Sequence, residues 1–246
     1  MIVRQFLHLE PVGISYLFGC GGEATGAVVD PVGDIEPYLL AADQTGMRID
    51  YVIDTHIHAD HLSAARKLAD KTGAQYVLSA NANVSFPFMA VSDGDVLPLG
   101  NVMARVWQTP GHTPEHICLL VTDHTRGDEP WLIFTGHTLM VGDLGRTELA
   151  VNAEQGAKDL FRSTNRLKAL PDYVDVLPGA FSGSVCGRRL SGKPSSTIGF
   201  EKRYNQALRI ESEHEFVRFM TSEIPPAPPE AARNRAANSG ALHAAA

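Results

Sequence analysis

Within seven residues, Thr55–His61, the run THIHADH places three histidines and an aspartate. Alternate residues of an extended chain project to the same side, so His56 and His58 can face one point while Asp60 and His61 follow at the bend into the next element. A polar helix start with Asp60 near its N-cap would use only one of these side chains, and three imidazoles serve no capping purpose. They suit a divalent cation. Two more histidines stand in comparable places, His112 in TPGHTPEH and His137 in FTGHTL, each directly after a glycine and just past a strand-like run. The glycines allow close backbone approach, here expected to be toward a metal. One such histidine is more often structural, but three loops carrying them together point to a shared ion. That ion would either make hydroxide from water and polarise a carbonyl, or activate oxygen.

The elements that must position these loops are readable from periodicity. IVRQFLHL, ISYLFGC and AVVDP read as three strands joined by tight turns, and DIEPYLLAADQTG as a helix closed by Gly46. YVIDT is a strand and LSAARKLADKTG a helix, so THIHADH lies in a strand–loop–helix unit. YVLSA, VLPL, VMARVWQ, HICLLVTD and WLIFTG follow as strands, then a helix over EQGAKDLFRSTNRLKAL, a strand at YVDVLP and helices near FEKRYNQAL and EHEFVRFMTSE. Strand clusters followed by helices in each half suit two facing sheets covered outside by helices, an α/β (α+β) architecture. Residues 1–224 are expected to form one domain and 225–246, rich in Pro and Ala, a loose tail.

The 246-residue length and 44% hydrophobic content allow a full core. A net charge of -7 without a dense Lys/Arg cluster argues against nucleic acid as a partner. No apolar run reaches the roughly 18 residues of a membrane span, and Met1 opens a strand-like run rather than a signal peptide, so the expected address is the cytoplasm. Three widely spaced cysteines, Cys20, Cys118 and Cys186, fit thiols in a reducing compartment.

THIHADH, TPGHTPEH and the stretch TGHTLMVGDLGR resemble the metallo-β-lactamase superfamily, in order through most of residues 1–210. The resemblance implies an αββα sandwich with its metal at one edge of the two sheets. GDLGRTEL and CGRRLSGKPSSTIGFEKRYN resemble the persulfide dioxygenase (sulfur dioxygenase) branch, glyoxalase II-type hydrolases being more distant. Carried over by position, the resemblance implies one Fe(II) per chain on His56, His112 and position 137, with Zn as the alternative ion. The branch has Asp at position 137, where this chain has His, and dinuclear zinc members have a further His where this chain has Ala180. Both departures remove ligands of a second metal and favour one ion over two. Neutral His137 raises the site charge by one unit, which favours an anionic sulfur ligand.

The resemblance therefore implies an enzyme, an oxidoreductase joining O2 to a glutathione-type persulfide to give sulfite, and also a possible homodimer. A zinc hydrolase of thioesters or lactones and a metal-binding member without turnover stay open as alternatives. Asp60 and His61 are expected as catalytic residues that support the ligands through hydrogen bonds fixing ring tautomers. His58 and Asp143 are expected as outer support or alternative ligands, with a turn role favoured for Asp143. Arg146 is expected to anchor a substrate carboxylate through paired hydrogen bonds, or else to brace its loop. Lys193 and Ser196, in GKPSST, are expected on a substrate-side loop, while His116 is expected to start a strand or brace the metal loop. Cys186 has no assigned reactivity.

Overall fold

The computed structural model describes residues 1–222, 224 and 226–241. Two six-stranded sheets face each other. The first runs β1 (Ile2–Leu9), β2 (Val12–Cys20), β3 (Thr25–Val29), β4 (Arg48–Ile53), β5 (Gln75–Ser79) and β6 (Met89–Val91) in spatial order. Its first three strands pair antiparallel as a meander, and β3 to β6 pair parallel. Helices α1 (Glu36–Thr45) and α2 (Ala65–Thr72) make the crossovers β3–β4 and β4–β5 that parallel pairing requires. The second sheet is built from β7 (Val96–Leu99), β8 (Val102–Gln108), β9 (Ile117–Asp123), β10 (Leu132–Gly136), β13 (Asp175–Pro178) and β14 (Ser196–Thr197), in the order β14-β13-β10-β9-β8-β7. A two-residue ribbon, β11 (Leu139–Met140) with β12 (Asp143–Leu144), leads toward α3 (Ala153–Lys168). Helices α4 (Ile198–Tyr204), α5 (Glu213–Thr221) and α6 (Ala231–Asn238) complete the described chain. No helix among the described residues is long and apolar enough to cross a membrane.

Central strands are apolar on both faces because both faces are covered. Along β2, Ile14, Tyr16 and Phe18 enter the layer between the sheets, where they meet Ile117, Leu119, Val121 and Phe134, while Leu17 points outward to Tyr38 and Leu68 under α1 and α2. On the other flank Cys118, Ile133 and Val176 pack under Leu160 and Leu167 of α3 and Phe216 of α5. The result is the expected αββα order. The expected loose tail is corrected in its described part: α6 is a helix whose Asn234, Arg235 and Asn238 donate hydrogen bonds to the backbone of residues 57–61. Its Ala-rich sequence carries little apolar pattern, so polar side chains, not a hydrophobic stripe, fasten it down. Pro225 and residues 242–246 of that segment lie outside the described residues.

Candidate metal centre

The histidine loops meet at the edge where β4, β8, β10 and β13 end. His56–His61 follows β4, His112 lies between β8 and β9, and His137 follows β10. One donor atom from each of His56, His112 and His137 falls within 4.8 Å of the others. Their ring centroids are separated by 4.7–4.9 Å, and all three side chains are 1% exposed. The structure thus brings together the three residues that were expected to share an ion.

The His56 and His112 rings are each oriented by a partner on the far nitrogen, and His137 by its backbone. Thr55 Oγ1 donates to Asp30 Oδ2 at 2.8 Å, leaving its lone pair to accept from His56 Nδ1 at 2.9 Å; His56 Nε2 is buried with no partner. His112 Nδ1 donates to the Arg146 carbonyl at 2.7 Å, and its Nε2 lies 3.2 Å from His137 Nδ1. His137 is fixed through its backbone, whose N–H donates to His116 Nε2 at 3.1 Å. His116 Nδ1 in turn lies 3.0 Å from Thr109 and Thr138 hydroxyls, so it braces the loop as expected. Burial, followed by the neighbouring His137, pushes His112 down to about 3. Burial first and the adjacent rings next hold His56 and His116 well below the ordinary histidine value. Neutral imidazoles with lone pairs turned inward are the form a metal requires.

The glycines before these histidines have a different reason from the expected approach to metal. A Cβ at Gly136, whose φ is +48°, would lie 2.5 Å from Thr55 Oγ1 and 2.6 Å from His116 Nε2. At Gly111 it would lie 2.5 Å from the Leu160 backbone on α3. Both glycines let protein close on protein behind the site.

His58 sits apart from the three rings in role. Burial opposes its charge, but Asp30, 3.1 Å from its Nε2, holds its pKa well above the ordinary value, so it is an imidazolium and a support for the loop. Asp60 is a buried carboxylate, its side chain 3% exposed, with neither oxygen hydrogen-bonded; His61 Nδ1 lies 3.2 Å from Oδ2 as an ion-pair contact, and neither His61 nitrogen makes a hydrogen bond. Burial disfavours the Asp60 anion, yet the His61 and His137 rings hold its pKa well below the ordinary value. Such orphaned, buried polar atoms on His56, Asp60 and His61 are costly without a cation. The donor set therefore fits a metal ion, and this His/Asp cluster is a metal-binding one.

Other expected site residues are placed elsewhere. Asp143 accepts from the backbone N–H groups of Leu144, Arg188 and Arg189 at 2.7–2.9 Å, so the alternative-ligand reading is corrected to a turn role. Arg146 does not present a carboxylate anchor: its guanidinium pairs with Glu148 and donates to the carbonyls of Val185 and Pro226 at 3.2–3.4 Å. Ser196 donates to Glu201 at 2.6 Å, and the Lys193 ammonium to the Ser195 carbonyl. These two line a hollow of about 220 Å³ with Asp175 and Phe200, on a strand pairing with the start of β13, whereas it is the residue following β13, Gly179, that abuts His137. A substrate-side loop is corrected to a separate surface hollow. Sequence reasoning missed Asp30, which holds Thr55 and His58; Glu115, which accepts from Ile57 N at 2.9 Å; and the asparagines of α6. Asp30 carried one signal, a carboxylate ending an apolar strand run.

A sequence profile of the metallo-beta-lactamase superfamily matches residues 12–88. A hydroxyacylglutathione hydrolase of Maricaulis maris is 30% identical, over 85% of this chain and 87% of its own length. The mitochondrial persulfide dioxygenase ETHE1 of Homo sapiens is 27% identical, over 89% of this chain and 80% of its own. The crystal structure of ETHE1 from Myxococcus xanthus superimposes with a TM-score of 0.81 at 31% identity, covering 97% of this chain and 100% of that one.

Proposed function

The chain belongs to the metallo-β-lactamase superfamily, and on that footing we propose that it is a non-haem iron dioxygenase oxidising a glutathione-type persulfide to sulfite. The observation carrying this reading is the compact group of three neutral imidazoles, His56, His112 and His137, with His137 where a carboxylate would bridge two metals. Iron(II) held there would supply a centre on which O2 and a persulfide sulfur react, the net change being persulfide, O2 and water to thiol, sulfite and two protons. The chain's own contribution is orientation and exclusion of water. Thr55 and the Arg146 carbonyl hold the inner nitrogens of His56 and His112 inward, and His116 holds the His137 backbone. Three uncharged rings leave room for the negative charge of a persulfide, which favours that substrate over a neutral one. The near-complete match to ETHE1 from Myxococcus xanthus supports the same reading.

A second reading, zinc-dependent hydrolysis of a glutathione thioester, is supported by the Maricaulis maris relative at 30% identity. One experiment separates them. Iron-loaded protein given glutathione persulfide should consume oxygen and form sulfite, and zinc-loaded protein should leave a hydroxyacyl-glutathione thioester intact. Thioester cleavage by the zinc form with no oxygen uptake by the iron form would replace the dioxygenase with the hydrolase.

A further inference from the structure

Beside the metal loops lies a hollow of about 290 Å³, lined by Ile57 and Glu115, by Arg235 of α6, and by the exposed Asn81 and Asn83. Ile57 stands between His56 and His58, and its peptide groups are gripped from two sides. Its N–H donates to Glu115 Oε1 at 2.9 Å, and its carbonyl accepts from Arg235 Nη1 at 2.8 Å. The two charged groups are thereby held 3.7 Å apart, too far for a hydrogen bond to close between them. Each keeps bonding capacity. Among the described residues Glu115 Oε2 accepts no hydrogen bond, Arg235 Nε and Nη2 donate none, and the side-chain amides of Asn81 and Asn83 are unengaged. The Glu115 side chain is 5% exposed and that of Arg235 22%, so this opposite-charge pair is shielded from water without being closed on itself.

A simple anion in the hollow would meet the Glu115 carboxylate, and a simple cation the Arg235 guanidinium. A molecule carrying both charges on adjacent carbons meets an opposite charge at each end. A guanidinium offers parallel N–H groups to a carboxylate, a carboxylate oxygen accepts from an ammonium, and asparagine amides serve either group as donor or acceptor. The volume is near the lower end for small-molecule pockets, roughly 300–1,000 Å³, which suits a ligand of amino-acid dimensions. We propose that this hollow binds the zwitterionic end of an α-amino acid, its carboxylate on Arg235 and its ammonium on Glu115 Oε2, with Asn81 and Asn83 completing the hydrogen bonds. The same chemistry is offered by a free amino acid and by the γ-glutamyl end of a glutathione-type thiol. The site uses none of the three histidines, so the proposal goes beyond the oxidation reading and does not depend on it.

The test is calorimetric titration of the full chain, stripped of metal so that no thiol–metal bond contributes, with L-glutamate, S-methylglutathione and the N-acetylated form of each. L-Glutamate or S-methylglutathione should bind saturably, and N-acetylation, which removes the ammonium charge, should weaken binding at least about 10-fold. Arg235→Gln and Glu115→Gln should each weaken it by a similar factor. Because both side chains also hold Ile57, a third variant, Asn83→Ala, removes a side chain that supports nothing else in the described fold; it should weaken binding about 3- to 10-fold with the melting temperature unchanged. Tighter binding of S-methylglutathione assigns the site to a glutathione-type ligand, and equal or tighter binding of L-glutamate to a free amino acid; both support the zwitterion site. No saturable binding of either, indifference to N-acetylation, or unchanged affinity in all three variants would overturn the proposal. Turnover is not read, so failure of the dioxygenase reading leaves this result intact.

Discussion

Thr55 shows how much of the metal site rests on side chains that touch no metal. Its hydroxyl bridges the Asp30 carboxylate and His56 Nδ1, so the nitrogen left for a cation is Nε2. Thr55→Val keeps the shape and removes the bridge. Metal affinity should fall by about 10–100-fold, measured by competition with a chelator, while the protein still folds; unchanged affinity would mean that packing alone orients the ring. The histidines themselves were legible from spacing, because residues two apart on a strand end must share a side. Asp30 and Glu115 were much less so: Asp30 reaches the loop from 25 residues away, marked only as a carboxylate ending an apolar strand run, and Glu115 acts on the backbone of Ile57, 58 residues away, which no local spacing foretells. Arg146 misled for a related reason: its sequence position near the site is real, but the contribution is its backbone carbonyl, and its guanidinium is taken by Glu148 and two carbonyls.

Among the elements, α6 is the one whose role periodicity could not foretell. It lacks an apolar stripe and so reads as tail, yet Asn238 donates to the carbonyls of His58 and His61 at 2.9 and 2.8 Å and accepts from Ser63 N at 3.0 Å. This is a clasp on the metal loop by hydrogen bonds to backbone, a link in which side-chain type matters and hydropathy does not. Asn238→Ala should cost about 1–3 kcal/mol and lower Tm by roughly 3–10 °C, with proteolysis of residues 56–63 accelerated. An unaltered melting curve and cleavage pattern would show that the loop holds its form unaided. The longer strands and the helices α1, α2 and α3 were by contrast legible, because their apolar periods answer to a core on one or both faces, whereas the three-residue β6 was missed. β11, β12 and β14, two residues each, are too short to carry a period.

For the whole molecule, the cluster couples stability to pH. In the metal-free protein the buried rings of His56, His112 and His116 resist protonation in the folded state, whereas unfolded they titrate near their ordinary value of about 6.5. From about pH 6.5 downward the unfolded chain therefore binds more protons. Folding stability falls as pH falls, by up to about 1.4 kcal/mol per unit for each ring and toward about pH 3 for His112. His58, raised by Asp30, acts in the opposite sense, its contribution being complete below its unfolded value and lost as pH rises through its folded one. With three rings against one, the urea midpoint of the metal-free protein should be lower at about pH 5 than at about pH 7; an equal or higher midpoint would mean that those rings titrate freely. The αββα layering is what gathers strand ends from both sheets at one edge, so the metal centre is a property of the complete fold. Its most direct test is the metal content of three single variants, His56→Ala, His112→Ala and His137→Ala, stripped, reloaded with iron(II) and dialysed. Each substitution, although on a separate loop, is predicted to abolish tight iron binding; full iron content in all three variants would contradict a shared centre.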